Sequence, residues 1–453
     1  MTSKRSFRKK AWILFSILAI LFVFLQFIRP PLDNPPVTAD LNAPPDVKAV
    51  LHRACYNCHS NETRLAWFDQ PAPAYWLVAA DVKKARKAMN FSNWDSLSKP
   101  QQAAKLFEAI FQAEQKAMPL PQYRLLHHEA VVSSEDIALL KSYVSTLAYK
   151  AVPDSARERA FTDQYARWSK TIITPADIHP QHNGIGYAAL AGFGDWEAIS
   201  TTERYDNGTL RIILGNDITV KAIREGHTNP WPDGAIFAKC AWDQLPDPSG
   251  NIHAGAFKQV EFMIRDKEKY ASTFGWGWAR WVGGLAMKPY GKDASFTTEC
   301  MNCHRPLEKN NYTFTFPLAD TLTLTGPSSG TQDPRAAHPL AGRVITSYVS
   351  KREGTMSTLY GNELAASNAR SGQDYPAGAV LTLVTWSQRE DPHWFGGRIP
   401  AAVQTVETIL FDKSSGPLYK QYTGEPLVEA SPEAGTVTER IAFLLSLKAS
   451  ILL

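Results

Sequence analysis

The sequence predicts a multidomain chain: an N-terminal transmembrane helix, then an all-α domain, then two related α+β domains that are mostly antiparallel. Three observations predict it. A basic cluster precedes a long apolar run at the N-terminus. Residues 46–152 carry apolar side chains at helical spacing. Beyond them lie short apolar strands bounded by Gly, Pro, Asn and Asp, in an order that recurs later in the chain. The length of 453 residues suits about three domains, and 44% hydrophobic with 20% charged residues suits ordinary packed cores.

Residues 1–29 are read as a cytoplasmic tip and membrane anchor. Lys4, Arg5, Arg8, Lys9 and Lys10 precede an apolar run over 11–28 that is broken only by Ser16 and Gln26. That run exceeds the about 7–15 residues of a signal-peptide core and approaches the about 20 of a span. The nearest small-residue cleavage pattern, Val37-Thr38-Ala39, lies well downstream. An uncleaved anchor is therefore expected rather than a cleaved signal. The positive-inside bias then predicts a single-pass inner-membrane protein with the remaining domains in the periplasm. The five N-terminal charges exceed the net charge of +4, so the rest of the chain offers no basic surface for nucleic acid. Six prolines over 30–45 predict an extended linker.

In the all-α domain, Val47, Val50, Leu51 and Ala54 form a stripe leading into Cys55-Tyr56-Asn57-Cys58-His59. Leu106, Phe107, Ile110 and Phe111 mark a second helix. Ser133-Ser134-Glu135-Asp136 offers an N-cap for a third, with Ile137, Leu140, Tyr143 and Leu147 on one face. Cys300-Met301-Asn302-Cys303-His304 repeats the Cys-x-x-Cys-His pattern, the attachment site of a c-type haem. Two thiols at that spacing reach the two vinyl groups on one side of a porphyrin, and the following His becomes an iron ligand. A four-cysteine zinc site needs its pairs about 15–20 residues apart, not the roughly 240 seen here. A thioredoxin-like pair has no need of the His. Two covalently bound c-type haems (iron) are therefore expected, the first on a helix–motif–helices–closing helix order like that of a small class I cytochrome c.

The second block, 184–318, predicts strands over Thr209–Leu214, Ala235–Trp242 and Phe257–Ile264, with three indoles in Gly275 to Trp281. Residues 319–342 read as a linker, and 343–453 repeat the second block. Gly208-Thr209 and Gly215-Asn216 answer to Gly354-Thr355 and Gly361-Asn362; Pro232-Asp233-Gly234-Ala235 answers to Pro376-Ala377-Gly378-Ala379; Trp242, Asp247-Pro248 and Glu261 answer to Trp386, Asp391-Pro392 and Glu407. The later copy has no cysteine and cannot hold a c-type haem. Residues kept in both copies serve the fold, Glu261 among them. Charged strand residues lost with the haem are candidates for haem function: Arg211, which becomes Ser357, and Lys239, which becomes Leu383. Cys240 falls on the opposite strand face from Lys239 as a buried filler.

Residues 184–317 resemble the cytochrome P-460 family. The resemblance is carried by Gly208-Thr209 and Gly215-Asn216, Trp231 to Lys239, Glu261 to Asp266, Gly275-Trp276-Gly277, and Cys300 to His304. It implies a small, mostly antiparallel β fold with helices, a dimer of mono-haem centres, a lysine cross-linked to the porphyrin edge and oxidation of hydroxylamine. The cross-linking lysine matches Lys239. The resemblance also implies a proton-accepting carboxylate shortly before the haem motif. Asp293 and Glu299 are the acids there, and Ser295 or Phe296 are the other occupants of that register. An apolar occupant would suit a gas-binding cytochrome of the c-prime-beta type.

Residues 46–150 resemble the short haem-binding domains found at the N-terminus of such chains, on Cys55 to Thr63, Asn90 to Trp94 and Met118 to Tyr123. Met118, at a Met-Pro step, falls where a class I cytochrome places its sixth iron ligand; Met89, His127 and His128 are the alternatives. A thioether on iron raises the potential and closes the site, which suits electron transfer. The expectation is a dihaem cytochrome. Its His304 haem takes a small nitrogen-compound substrate or a gas ligand, and electrons pass to the His59/Met118 haem and on to a redox partner protein or a quinone-linked chain. The other reading is a non-catalytic electron carrier or nitric oxide binder.

Overall fold

The computed structural model describes residues 2–171, 178–180, 185–190, 192–290, 296–318, 324–325, 339–431 and 434–452. They form two compact units, 1–147 and 148–453.

The first unit is helical. Helix α1 is Thr2–Leu25. Among the described residues no helix is long and apolar enough to cross a membrane. The apolar run continues to Ile28, but the helix stops at Leu25 because the chain beyond is captured elsewhere. Trp76 donates its indole N–H to the Ile28 carbonyl (2.6 Å), Tyr75 its hydroxyl to Pro30 (2.7 Å), and the Ala72 N–H donates to Gln26 (2.8 Å). Only residues 11–25 are both apolar and helical, about 22 Å at 1.5 Å per residue, short of the about 30 Å of a hydrocarbon core. The expected transmembrane anchor over 1–29 and the single-pass inner-membrane placement are corrected accordingly.

Helix α2, Pro45–Leu51, buries Val47, Val50 and Leu51 and runs through a π-helical turn, His52–Tyr56, into α3, Asn57–His59. Helices α4 (Ala74–Ala88), α5 (Lys99–Glu114), α6 (Pro121–Arg124) and α7 (Ser134–Ser145) complete the unit. The α7 start is a reciprocal cap: Ser133 Oγ accepts the Asp136 N–H at 3.1 Å, and Asp136 accepts the Ser133 N–H at 2.8 Å.

The second unit begins with α8, Ser155–Trp168, whose Gln164 side chain bonds both the N–H and the carbonyl of Phe257. Strands β1 (Glu197–Arg204), β2 (Thr209–Gly215), β3 (Ile236–Pro246) and β4 (Asn251–Arg265) form an antiparallel meander, with α9 (Asp217–Arg224) between β2 and β3. Strand β5 (Trp276–Val282) adds to β4, β6 (Lys288–Pro289) to β5, and α10 (Phe296–His304) follows. After β7 (Leu324–Thr325), strands β8 (Arg343–Ser350), β9 (Thr355–Gly361), β10 (Val380–Glu390) and β11 (Gly397–Asp412) repeat the meander, with α11 (Glu363–Ser371) in the place of α9. Strands β12 (Gly416–Thr423) and β13 (Leu427–Ala430) and helix α12 (Ala434–Ser446) close the order.

Why the two meanders match is visible in their shared details. Asn216 and Asn362 cap α9 and α11, accepting the N–H of Thr219 and Ala365, and donate to the carbonyls of Gly234 and Gly378 at 2.8 Å in both cases. Those two glycines share φ 88°, a left-handed value that favours Gly. The pairings shift register at equivalent places: 198/200 and 344/346, and around Trp242 and Trp386.

The two meanders do not form the separate α+β domains the sequence suggested; among the described residues they are joined in one 13-stranded, mostly antiparallel sheet. Strand β4 pairs β8 and β11 pairs β1, so β1–β4 and β8–β11 close a ring. The two seams are equivalent, since Asn251↔Ser350 and Ile252↔Val349 correspond to Gly397↔Arg204 and Arg398↔Glu203. Each meander thereby covers the other's open edges, whose unpaired N–H and carbonyl groups would otherwise stay exposed. Inside one continuous core lie Cys240, Trp242, Val260, Phe262, Val349 and Leu359. The opposite face of the first meander carries a second cluster, with Ile213, Phe237, Met263, Trp276, Trp278 and Met301 of α10. That second face positions the site.

Candidate functional site

In the first unit the π-turn and α3 deliver Cys55, Cys58 and His59 along one continuous helical stretch. His59 Nδ1 donates to the Met89 carbonyl at 3.1 Å, and Phe91 N donates back to the His59 carbonyl at 2.8 Å. A carbonyl can only accept, so Nδ1 carries the proton and Nε2 presents its lone pair. Burial lowers the His59 pKa, favouring the neutral ring that can ligate iron. Burial also holds the thiols protonated, pushing Cys55 up to about 12 and Cys58 to about 11. Segment 90–94 supports the motif. Its Phe91 stacks on Tyr56 at 4.6 Å, and Ser92 Oγ accepts the Asn61 N–H at 2.8 Å.

Around this motif the four candidate sixth ligands differ in their engagements. The Met89 carbonyl accepts from His59 Nδ1, on the side of the ring away from Nε2. His127 has both ring nitrogens on carboxylates, Nε2 on Asp69 (3.1 Å) and Nδ1 on Glu129 (3.1 Å). His128 is exposed. Met118 is half-buried, directly after α5, and the loop that follows is tied to the motif by Asn57 Nδ2 donating to the Tyr123 hydroxyl at 2.8 Å.

In the second unit α10 presents Cys300, Cys303 and His304, anchored by Met301 in the second apolar cluster. His304 Nδ1 donates to the Tyr312 carbonyl at 2.6 Å, the arrangement of His59 repeated on an unrelated scaffold. Its ring lies between Trp278 (5.9 Å) and Phe314 (4.9 Å). Burial, with the Lys239 charge adding to it, lowers its pKa to about 4, so the imidazole is neutral near pH 7.

Strand register then assembles the charges. Ile213, Lys239, Glu261 and Arg280 form one cross-strand row over β2, β3, β4 and β5. Lys239 Nζ pairs with Glu261, and Arg280 Nε lies 3.2 Å from the other carboxylate oxygen. Gln259 donates to Glu261 (2.7 Å) and accepts from Arg280 (2.7 Å). Arg211 projects from the same face, donating to Thr209 Oγ1 at 3.3 Å. Burial opposes ionisation of Glu261, but Lys239, Arg280 and Arg211 together hold it down to about 2. Burial drives Arg211 to about 9, aided by Arg204, and lowers Lys239 despite Glu261. Lys239, Glu261 and Arg280 are nevertheless 30%, 24% and 29% exposed, so they are not sealed in a core. The row thus fits a flat macrocycle laid against this face, with the two thiols and the neutral imidazole of α10 beside it.

Lys239 is therefore brought close to His304, Arg211 lies with Glu261 on the same face, and Cys240 points the other way, fully buried. Glu299, on α10, accepts from the Tyr290 hydroxyl at 3.2 Å, and the Tyr290 ring lies 4.0 Å under the Arg280 guanidinium. Asp293 and Ser295 lie outside the described residues; Phe296 begins α10. Sequence reasoning missed Arg280 and Phe314, whereas Trp278, one of its three indoles, does lie beside His304. The signal for Arg280 was present, because it alternates with Trp276 and Trp278 on one strand face. It also took Glu261 as purely structural. In the copy without cysteines, the matching Glu407 is bonded by Arg440 of α12 at 2.8 and 2.6 Å. The carboxylate is common to both copies, but only in the first is its partner a strand lysine.

Comparison with known proteins agrees with these two sites. Residues 20–146 match the family model described as a haem-binding domain, and residues 190–315 match the one described as cytochrome P460. No curated protein matches the chain. The chain therefore has an N-terminal haem-binding domain followed by a cytochrome P460 domain.

Proposed function

We propose that this haem-binding and cytochrome P460 chain is a dihaem c-type cytochrome that oxidises hydroxylamine or a related small nitrogen compound at the His304 haem. The haem that His59 would hold would supply the electron acceptor for it, with a redox partner protein or a quinone-linked chain beyond. One observation carries the reading: Lys239 stands on the sheet face that α10 covers, paired to Glu261, and its counterpart in the copy without cysteines is Leu383. The haem, when bound, supplies the redox-active iron. Cys55 with Cys58, and Cys300 with Cys303, would attach the two haems, and His59 and His304 would ligate them. Burial, with the Arg211 and Arg280 charges, lowers the Lys239 pKa despite its pairing with Glu261, which eases loss of the proton that a covalent bond to a porphyrin edge requires. Arg211 would hold a hydrogen-bond acceptor at this face, and Asp293 or Glu299 would accept protons from substrate.

At the first haem, Met118 is the proposed sixth ligand. The reading is supported by the carboxylates on both nitrogens of His127 and by the place of the Met89 carbonyl behind His59. The copy without cysteines, 343–453, is proposed as an internal stand-in for a dimer partner; two equivalent seams are what a duplicated twofold interface would give.

The second reading is a non-catalytic electron-transfer or nitric oxide-binding cytochrome. It is favoured by the bond from Tyr290 to Glu299, which engages the described acid nearest the motif. Anaerobic mixing of the oxidised protein with hydroxylamine separates the two. The proposal expects reduction of the haem absorption bands, sustained over many turnovers when an electron acceptor is supplied. Bands that stay oxidised would leave the second reading.

A further inference from the structure

We infer that Trp394, in the copy without cysteines, is a positioning residue for the axial ligand His304, acting through Phe314. The inference rests on the reading of His304 as the iron ligand. The two meanders correspond strand by strand, and their connections differ in length at two places: the later copy is two residues shorter between Asn362 and Gly378 than between Asn216 and Gly234, and longer at the hairpin before β11. In the first, Asp247 N donates to the Asn251 carbonyl (2.8 Å) across Pro248-Ser249-Gly250. In the second, Asp391 N donates to the Gly397 carbonyl (2.9 Å) across Pro392-His393-Trp394-Phe395-Gly396. Two extra residues have entered, and the segment is now aromatic. Because the seams are equivalent, the shorter hairpin stands at the β4–β8 seam and the longer one at the β11–β1 seam. The insertion is therefore specific to one seam, and its contacts explain why.

His393 Nδ1 donates to the Phe314 carbonyl at 3.0 Å, and its ring stacks on Phe316 at 4.2 Å. Trp394 packs against the Phe314 ring at 5.9 Å, and Phe314 meets the His304 imidazole edge to face at 4.9 Å. Trp394 is itself fixed from behind. Its indole N–H donates to Asp206 Oδ2 (3.2 Å), and the Arg204 guanidinium lies 4.4 Å over its ring. Arg204 and Asp206 are buried and paired through two bonds, 2.7 and 2.5 Å, so the platform is rigid. A line of packed groups thus runs from β1, through the inserted hairpin, to the imidazole. Phe314 lies two residues beyond Tyr312, whose carbonyl takes the His304 Nδ1 proton. Holding Phe314 holds that bond, and the strength of that bond sets how basic the axial nitrogen is. The copy that binds no haem would in this way tune the haem of its neighbour.

The test is resonance Raman spectroscopy of the full-length ferrous protein, reading the iron–histidine stretching band of the five-coordinate haem. Trp394→Ala should shift the band to lower frequency and broaden it, as Phe314 loosens and the Nδ1–H bond to Tyr312 weakens. Trp394→Phe keeps a ring against Phe314 and should keep the band. A folded Trp394→Ala protein with the wild-type band overturns the inference. If Trp394→Ala fails to fold, Phe314→Leu decides, since it leaves the Arg204–Asp206–Trp394 platform intact: a shifted band supports the inference and an unshifted one overturns it. His304→Ala should abolish the band. Persistence of the band there would defeat the reading of His304 as ligand, a failure distinct from an unshifted band in Trp394→Ala.

Discussion

Lys239→Leu is expected to leave a folded, haem-bearing protein with an ordinary c-type spectrum and no hydroxylamine turnover. The chain already contains this substitution in its second copy, where Leu383 lies directly across from Glu407 in the same register as Lys239 and Glu261. Glu261 would keep Arg280 at 3.2 Å and the Gln259 amide at 2.7 Å, so its charge would not be left unpaired. The spectrum should change because a porphyrin modified by an amine absorbs to the red of an unmodified c haem. A wild-type protein whose Lys239 peptide is recovered free of haem, with the same spectrum as the Leu variant, would remove the lysine from the chemistry.

Met118→Ala is the second large effect. Removing the thioether should open the first haem, which would then bind carbon monoxide when reduced. Its potential should fall by a measurable part of the about 0.8 V range that axial ligation spans. The fold should survive, because the Asn57–Tyr123 bond and the α5–α6 connection do not depend on the Met118 side chain. Unchanged ligand binding and potential would direct attention to Met89. His127 is a poor substitute, with carboxylates on both its nitrogens.

Much of the second unit was legible because duplication left two independent copies to compare. The caps at Asn216 and Asn362, the left-handed glycines at 234 and 378, and the tryptophans at the register shifts were all visible as recurring residues before their structural duties were known. The same comparison isolated Lys239 and Arg211, and strand alternation separated Lys239 from Cys240. The duplication also implied that the later copy docks on the first as a twofold partner; what it could not yield was that the docking joins their sheet edges. Edge pairing of β4 with β8 and of β1 with β11 depends on main-chain groups, which carry no side-chain signature. The row linking Lys239, Glu261 and Arg280 was likewise hidden, because cross-strand neighbours are set by register, and the bulges flanking Trp242 fall between β3 and β4. At the N-terminus, hydropathy alone favoured a span. The decisive facts were long-range bonds from Trp76 and Tyr75 to residues 28 and 30, which a window over the apolar run cannot see.

The central claim is that both Cys-x-x-Cys-His motifs carry covalent haem, each with its His Nδ1 held by a main-chain carbonyl. The most direct measurement is the pyridine haemochrome of denatured, solvent-extracted protein, counted per chain. The account predicts two haems in the intact chain, falling to one when Cys300 and Cys303 are replaced by Ala and to the other one when Cys55 and Cys58 are. An intact chain with a single covalent haem, or none, would contradict it.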